Sequence, residues 1–535
     1  MTRPQPSPAP GWSRRSVLGL LGAAPMMMGV PSAARAASPR AGELEGRVKE
    51  IMGRPEFAGA RWGMEFYSPG TGRAVYSLNA SELFNPGSSF KVFPAGTAFE
   101  TLGPDHRFRT RVYRTGPLVK GVLKGDLVLV AGGDLLLSGR VRRDGSLELP
   151  TPDHSYDRNE GAGPLPGDPL VEIRRLARQV AAHGVRQVEG RVLVDISLFR
   201  EGRESLANGM NATMSPIMVN DNLVDITVRP GGAAGEPAVL DISPQNAYIR
   251  VVNDVTTVAA GARPLTFTGA ADAPDGTHHV TITGDVPLGV KSLFRACYAP
   301  QPARFAAMLF TEALRDEGVR AEAGSTATPD FAELSSHYTR KRMLAEHVSP
   351  PLPEELKVML KVSSNIHTGM WPYLIGAIAG GDAENPRAAG LKLQSRLFEE
   401  AGLDGTPPGA SEHRYTPEFF TRFLAHMSRK PYYRTYRLTL PILGRDGSLA
   451  HVQPDSPAAG HVFAKTGTGI MMSDTAVGIS KGLAGFVELP DGQVLTFGTF
   501  MHLSSAPGGG SASADAAGQA LGEIAAAAYE SFAPR

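Results

Sequence analysis

The chain has 535 residues, 42% of them apolar and 20% charged, which is enough for more than one buried core and lacks the bias of a disordered chain. Its 54 Lys and Arg balance 53 Asp and Glu, and no long basic run interleaved with aromatics occurs, so neither nucleic acid nor an anionic membrane surface is indicated as a partner. The single cysteine, Cys297, excludes an intrachain disulfide and reads as a small buried hydrophobe.

Residues 1–36 carry Arg3, Arg14, Arg15 and Arg35, no acid, and an apolar run from Val17 to Val30. The run is shorter than the ~18 residues of a membrane-spanning helix, and Ala34-Arg35-Ala36 offers a small-residue cleavage site, so the segment reads as a signal peptide. Ser13-Arg14-Arg15-Ser16-Val17-Leu18 looks like a twin-arginine signal, an ordinary signal with two chance arginines being the alternative. Export to a periplasm or cell-wall space follows, with no integral membrane segment left after cleavage.

A short helix is expected near Gly42 to Met52, then two strands, Trp62 to Tyr67 and Arg73 to Leu78, joined by a turn. The next helix has Asn85 to cap it, Pro86 at its first position and Gly103-Pro104 to stop it, with Phe90, Phe93 and Phe99 as core candidates. Pro94 falls inside that helix and predicts a kink. From about Val112 to Val348 the pattern changes to short strands around two amphipathic helices, one beginning at Asp168-Pro169 and one at Pro302. A strand-rich stretch runs from about 220 to 290.

Helix returns from Glu354 to Ala379 and from Ala388 to Ala401. Strands follow at Val462 to Lys465, Leu483 to Leu489 and Val494 to Met501, the last two joined by Pro490-Asp491-Gly492-Gln493, and an alanine-rich helix closes the chain. Strands and one key helix at the start, with helices and strands at the end, imply one discontinuous domain, its parts at 37–111 and 349–535 separated by inserted material at 112–348.

Ser88-Ser89-Phe90-Lys91 places a hydroxyl and an amine on one face, one turn apart. A serine hydroxyl needs a base, and a lysine serves when a desolvated, cation-rich pocket lowers its pKa. Ser363-Ser364-Asn365 offers a hydroxyl to relay a proton and an amide to hold a carbonyl. Lys465-Thr466-Gly467-Thr468, on an expected edge strand, offers a cation and hydroxyls for a carboxylate, with a glycine that lets a substrate backbone approach. Each alone is weak; the order Ser-x-x-Lys, Ser-x-Asn, Lys-Thr-Gly carries the argument. The 13 histidines include no His-Glu-x-x-His pair, and no metal or cofactor is called for.

This set resembles the penicillin-binding proteins and serine β-lactamases. Asn85-Pro86-Gly87-Ser88, Gly132-Gly133-Asp134, Gly444-Arg445-Asp446-Gly447-Ser448 and Ala464-Lys465-Thr466-Gly467-Thr468, with 272 positions from Lys91 to Ser363, are similar to the D-alanyl-D-alanine carboxypeptidases of the S13 peptidase family. The resemblance implies an α+β fold, in which a transpeptidase-like domain, an antiparallel sheet with helices on both sides, is interrupted by inserted strand-rich domains.

It also implies an acyl-enzyme on Ser88, with Lys91 as base and Ser363 passing a proton to the leaving amine. Asn365 would bind the substrate amide, and Lys465, Thr466 and Thr468 the terminal carboxylate. Peptidoglycan stem peptides ending in D-Ala-D-Ala would be substrates and β-lactams acylating inhibitors, with D,D-endopeptidase action a further option. A β-lactamase and a silent peptidoglycan-binding scaffold are the competing readings. One stretch departs from the family pattern: Pro407-Pro408-Gly409 and Ser411-Glu412-His413-Arg414 stand where small residues precede an arginine, so this loop is expected to be reshaped.

Overall fold

A computed structural model describes residues 39–206, 209–324, 330–407, 409, 413–472, 477–505 and 510–533. Residues 1–38, in which the signal peptide is expected, and Pro408, Ser411 and Glu412 lie outside the described residues.

The architecture follows from one antiparallel sheet that uses both ends of the chain. Its strands lie in the order Val462–Met472, Val477–Glu488, Val494–Ser505, Arg61–Ser68, Arg73–Leu78. The Pro490-Asp491-Gly492-Gln493 turn joins the second and third, while Arg61–Ser68 pairs with Val494–Ser505 across more than four hundred residues of chain. Period-two alternation sorts the side chains to the two faces. Val462, Ala464, Leu483 and Val487 turn to one face, against Leu44, Val48 and Ile51 of the helix Pro39–Met52 and against Leu521, Ile524 and Ala528 of the helix Gly510–Phe532. Arg54 to Glu523, at 2.7 Å, ties the N-terminal segment to that closing helix.

Phe463, Ala484, Phe486 and Phe500 turn the other way, into a second core with the helices Val92–Leu102, Asn365–Ile378, Pro386–Glu400 and Pro417–Met427. Phe93 is its hub, in ring contact with Phe398, Tyr415, Phe419, Phe420 and Phe423 at centroid separations of 4.7 to 5.6 Å.

Two helix expectations are corrected. The segment after Asn85 is not one α-helix but a 3₁₀ turn, Gly87–Lys91, followed by the α-helix Val92–Leu102. Pro94 therefore falls in the first turn of the α-helix, where an amide has no intrahelical acceptor to lose, and the kink predicted from it is not required. The expected helix from Glu354 to Ala379 is broken into Leu352–Leu360 and Asn365–Ile378, for reasons that belong to the site.

Arg109–Arg114 and Met343–Val348 pair side by side, so the chain leaves and re-enters the sheet-and-helix unit at one neck. With Leu127–Val130 and Val192–Asp195 they form a four-stranded sheet, on which the helices Val171–Ala182 and Pro302–Asp316 pack. Two three-stranded sheets follow, one centred on Leu223–Arg229 and one on His278–Pro287. Cys297 lies half-buried on a strand of the first, its thiol pushed up to about 12 chiefly by burial, which makes it a packing residue rather than a nucleophile.

Phe93→Ala removes the hub ring from a core that cannot collapse around five other rings. It should cost about 3–5 kcal/mol, read as a lowered denaturation midpoint of the full chain.

Candidate active site

The 3₁₀ turn Gly87–Lys91 forms because local polar groups compete with a regular helix start. Asn85 Oδ1 accepts the Gly87 amide at 2.9 Å, the Ser89 hydroxyl donates to the Pro86 carbonyl at 2.7 Å, and Gly87 sits at φ +51. The turn is pressed onto the edge strand Val462–Met472. A Cβ on Gly87 would stand 2.5 Å from the Thr468 amide nitrogen, and a Cβ on Gly467 only 1.8 Å from the Pro86 carbonyl oxygen. The neighbouring turn thus itself requires glycine at 467. The partly exposed Ser88 is delivered to the strand carrying Lys465, Thr466, Gly467 and Thr468.

Lys91 is fully buried. Its Nζ donates to the Ser363 carbonyl at 2.6 Å, to Asn365 Oδ1 at 2.8 Å and to the Ser363 hydroxyl at 3.2 Å. Burial holds its pKa well below the usual lysine range; the Lys465 charge adds to the depression and Asp153 opposes it. Lys465 is also fully buried, with Nζ 2.9 Å from the Thr466 carbonyl, and its pKa is lowered to about 7 by burial and then by the Lys481 charge. Lys481 on the neighbouring strand donates to Thr468 Oγ1 at 2.8 Å, and the Ser448 and Thr466 hydroxyls lie 2.7 Å apart.

The break between the helices Leu352–Leu360 and Asn365–Ile378 creates the Ser363 position. The Lys361 ammonium is drawn to the Leu440 carbonyl at 2.8 Å and Asp446 at 2.6 Å, and Ser364 caps the second helix by accepting the His367 amide. Between them Ser363 adopts φ +64, a left-handed conformation that is uncommon for a side chain with a Cβ. The two serines that interrupt an apolar helical pattern were the available sign of this break. The structure thus gathers Lys91, Ser363 and Asn365 directly, and sets Ser88, Lys465, Thr466, Gly467 and Thr468 along the adjoining turn and strand. The segment from His413 borders them as well: His413, at φ +52, has its ring 6.1 Å from that of Phe90, and Tyr415 and Phe84 exchange backbone hydrogen bonds.

Sequence reasoning missed a contribution from the inserted material. Tyr156 donates its phenol to the Ser363 carbonyl at 2.6 Å. Behind it lies a wholly buried charge network. One Arg140 nitrogen reaches Asp153 at 2.6 Å and Asp221 at 2.5 Å, while His154 bridges Asp221 at 3.0 Å and Asp225 at 3.1 Å. His367, two residues after Asn365, approaches Asp221 at 3.3 Å. The carboxylates drive the His154 imidazole up to about 10 against the opposing effect of burial, so it is a cation at neutral pH. Asp153, His154 and Asp221 have the mutual spacing of a metal site, but the Arg140 guanidinium already stands between the two carboxylates and supplies the positive charge. No spacing motif marks these residues; the only local hint is Asn220-Asp221-Asn222, a run prone to the left-handed conformation it adopts.

With this geometry in view, known proteins decide the family. The sequence profile of the D-Ala-D-Ala carboxypeptidase 3 (S13) family matches residues 44–519. The chain belongs to the S13 family. An Actinomadura sp. (strain R39) D-alanyl-D-alanine carboxypeptidase is 29% identical over 503 residues, covering 89% of this chain and 83% of that protein. Penicillin-sensitive carboxypeptidase A of Dictyostelium discoideum is 24% identical over 460 residues, covering 80% and 81%. Penicillin binding protein 4 (dacB) from Haemophilus influenzae shares the fold, with a TM-score of 0.64 at 19% identity, over 90% of this chain and 98% of that one. This S13 chain is therefore a serine-type hydrolase of the D-Ala-D-Ala carboxypeptidase class, with the α+β fold its motifs implied.

The contact between Gly467 and Pro86 makes a sharp test in this S13 enzyme. Gly467→Ala must push the Ser88 turn off the strand by about 1 Å. It should slow labelling by a fluorescent penicillin about 100-fold, a displacement of that size being worth about that much, while circular dichroism stays unchanged.

Proposed function

We propose that the protein removes the terminal D-alanine from peptidoglycan stem peptides ending in D-Ala-D-Ala, through an ester on Ser88. The observation that carries this reading is the buried Lys91 ammonium, held by acceptors of Ser363 and Asn365 beside the turn of Ser88 and depressed by burial and by Lys465. A lysine so placed loses its proton readily and is a competent base.

Ser88 Oγ attacks the carbonyl of the penultimate residue as Lys91 takes its proton, and the carbonyl becomes a tetrahedral oxyanion. The backbone amides of Ser88 and Thr468 receive that charge; the near-contact of Gly87 with the Thr468 amide supports this pairing. Ser363, in reach of Lys91 Nζ, returns a proton to the departing D-alanine amine, and the C–N bond breaks. Water then attacks the ester, releasing the shortened peptide as a carboxylate and restoring the Ser88 hydroxyl. Asn365 holds the substrate amide. The hydroxyls of Thr466 and Thr468, with Lys465 beneath them and Lys481 bonded to Thr468, form a cationic seat for the terminal carboxylate. A β-lactam enters the same path and stops at the ester, because its ring nitrogen stays tethered. The Haemophilus influenzae relative of this fold has been seen with a β-lactam bound, which supports that use of the site.

Residues 1–36 act as a twin-arginine signal, placing the enzyme in the periplasm or cell-wall space where such peptides occur. Among the described residues no helix is long and apolar enough to cross a membrane.

Two measurements test the reading. Intact mass after brief exposure to benzylpenicillin should show one stable adduct on the wild type and none on Ser88→Ala. Turnover without a lasting adduct would mark a β-lactamase, and no reaction would mark a silent scaffold. The acylation rate should also fall as pH drops through the lowered Lys91 pKa, since the protonated amine cannot act as base. That limb should lie well below the range of a free lysine.

A further inference from the structure

We propose that Tyr156, carried by the inserted material, is a positioning residue that fixes the Ser363 carbonyl and keeps it from claiming the Lys91 ammonium for itself. This rests on the reading above, in which Lys91 must be free to give up its proton.

The Ser363 carbonyl oxygen has two lone pairs and, in this structure, two close donors, the Tyr156 phenol at 2.6 Å and Lys91 Nζ at 2.6 Å. The residue holding that carbonyl is at φ +64, so its direction is a product of external constraint rather than of a relaxed helix. Tyr156 supplies the constraint from outside the transpeptidase-like unit. Its own place is secured by its amide donating to the Asp153 carbonyl at 2.9 Å. Asp153 is clamped in turn by Arg140 at 2.6 Å, the Ser155 hydroxyl at 2.6 Å and the Ser155 amide at 3.1 Å. Through Asp221 the same network reaches His367, on the first turn of the helix that follows Ser363. The phenol and the carbonyl it grips, both partly buried, are thus tied at each end to one buried network, and neither end can drift alone.

The chemical consequence concerns the two forms of Lys91. A carbonyl that already accepts a strong hydrogen bond is a weaker acceptor for a second, and an ammonium gains more from such an acceptor than a neutral amine does. Removing the phenol leaves the carbonyl wholly to Lys91 and favours its charged form. The charged groups facing Lys91 are Lys465 from the edge strand, which disfavours the ammonium, and Asp153 from the inserted segment, which favours it; both stay in place when only the Tyr156 hydroxyl is changed.

The test is the pH profile of benzylpenicillin acylation for the wild-type full chain and for Tyr156→Phe. The variant should be roughly three- to tenfold slower on the acid side and match the wild type on the alkaline plateau, its limb displaced to higher pH. A fluorotyrosine at position 156 is a second variant that keeps the packing and the hydroxyl. Its more acidic phenol donates more strongly and should displace the limb the other way. Identical profiles, or a loss by the same factor at every pH, would overturn the proposal, because a merely structural role slows all protonation states alike. Absence of any wild-type acylation would instead overturn the Ser88 reading and this inference with it, so the two failures are distinguishable.

Discussion

Two lysine side chains taken entirely out of water are the condition around which this site is built. Placing one ammonium in a protein interior is costly, and placing a second beside it costs more, unless protons are surrendered or acceptors provided. Both remedies are visible. Lys91 meets two carbonyl-type oxygens and a hydroxyl, Lys465 meets the Thr466 carbonyl, and both titrate far below a free lysine. The helix break and the left-handed Ser363 bring acceptors to Lys91, and the turn pressed onto Gly467 sets Ser88 beside the strand that carries Lys465.

Much of this could be read from the chain. Ser88, Lys91, Ser363, Asn365 and Lys465 to Thr468 carry a recurrent order, and the sheet strands declared themselves through period two and the Pro490-Asp491-Gly492 turn. What escaped was decided by tertiary contact. The broken helix at Lys361–Ser364 depends on Leu440 and Asp446, nearly eighty or more residues away. The 3₁₀ start at Gly87 depends on a strand met only at Thr468. Tyr156 and the Arg140 network have no spacing signature, because their partners come from three separate stretches of sequence and their value appears only when these meet.

That network gives the inserted material a structural part in the site. Arg140 and the protonated His154 meet three carboxylates, Asp153, Asp221 and Asp225, in a space closed to water. Removing Arg140 or His154 leaves buried carboxylates without compensation, a far larger penalty than the loss of a surface pair. The insertion and the helix beginning at Asn365 are therefore held to each other by contacts that resist sliding, and the Ser363 turn inherits that rigidity.

The pairing of Arg61–Ser68 with Val494–Ser505 has a consequence for how the protein comes into being. Arg61–Ser68 has no partner on one edge until Val494–Ser505 has been made. The neck formed by Arg109–Arg114 and Met343–Val348 holds the two ends of the intervening residues side by side. Loop-closure entropy then opposes the final pairing far less than the raw separation in sequence implies. Ser88 and Lys465 come from opposite sides of that closure, so a chain that has not yet made it holds no hydrolytic site.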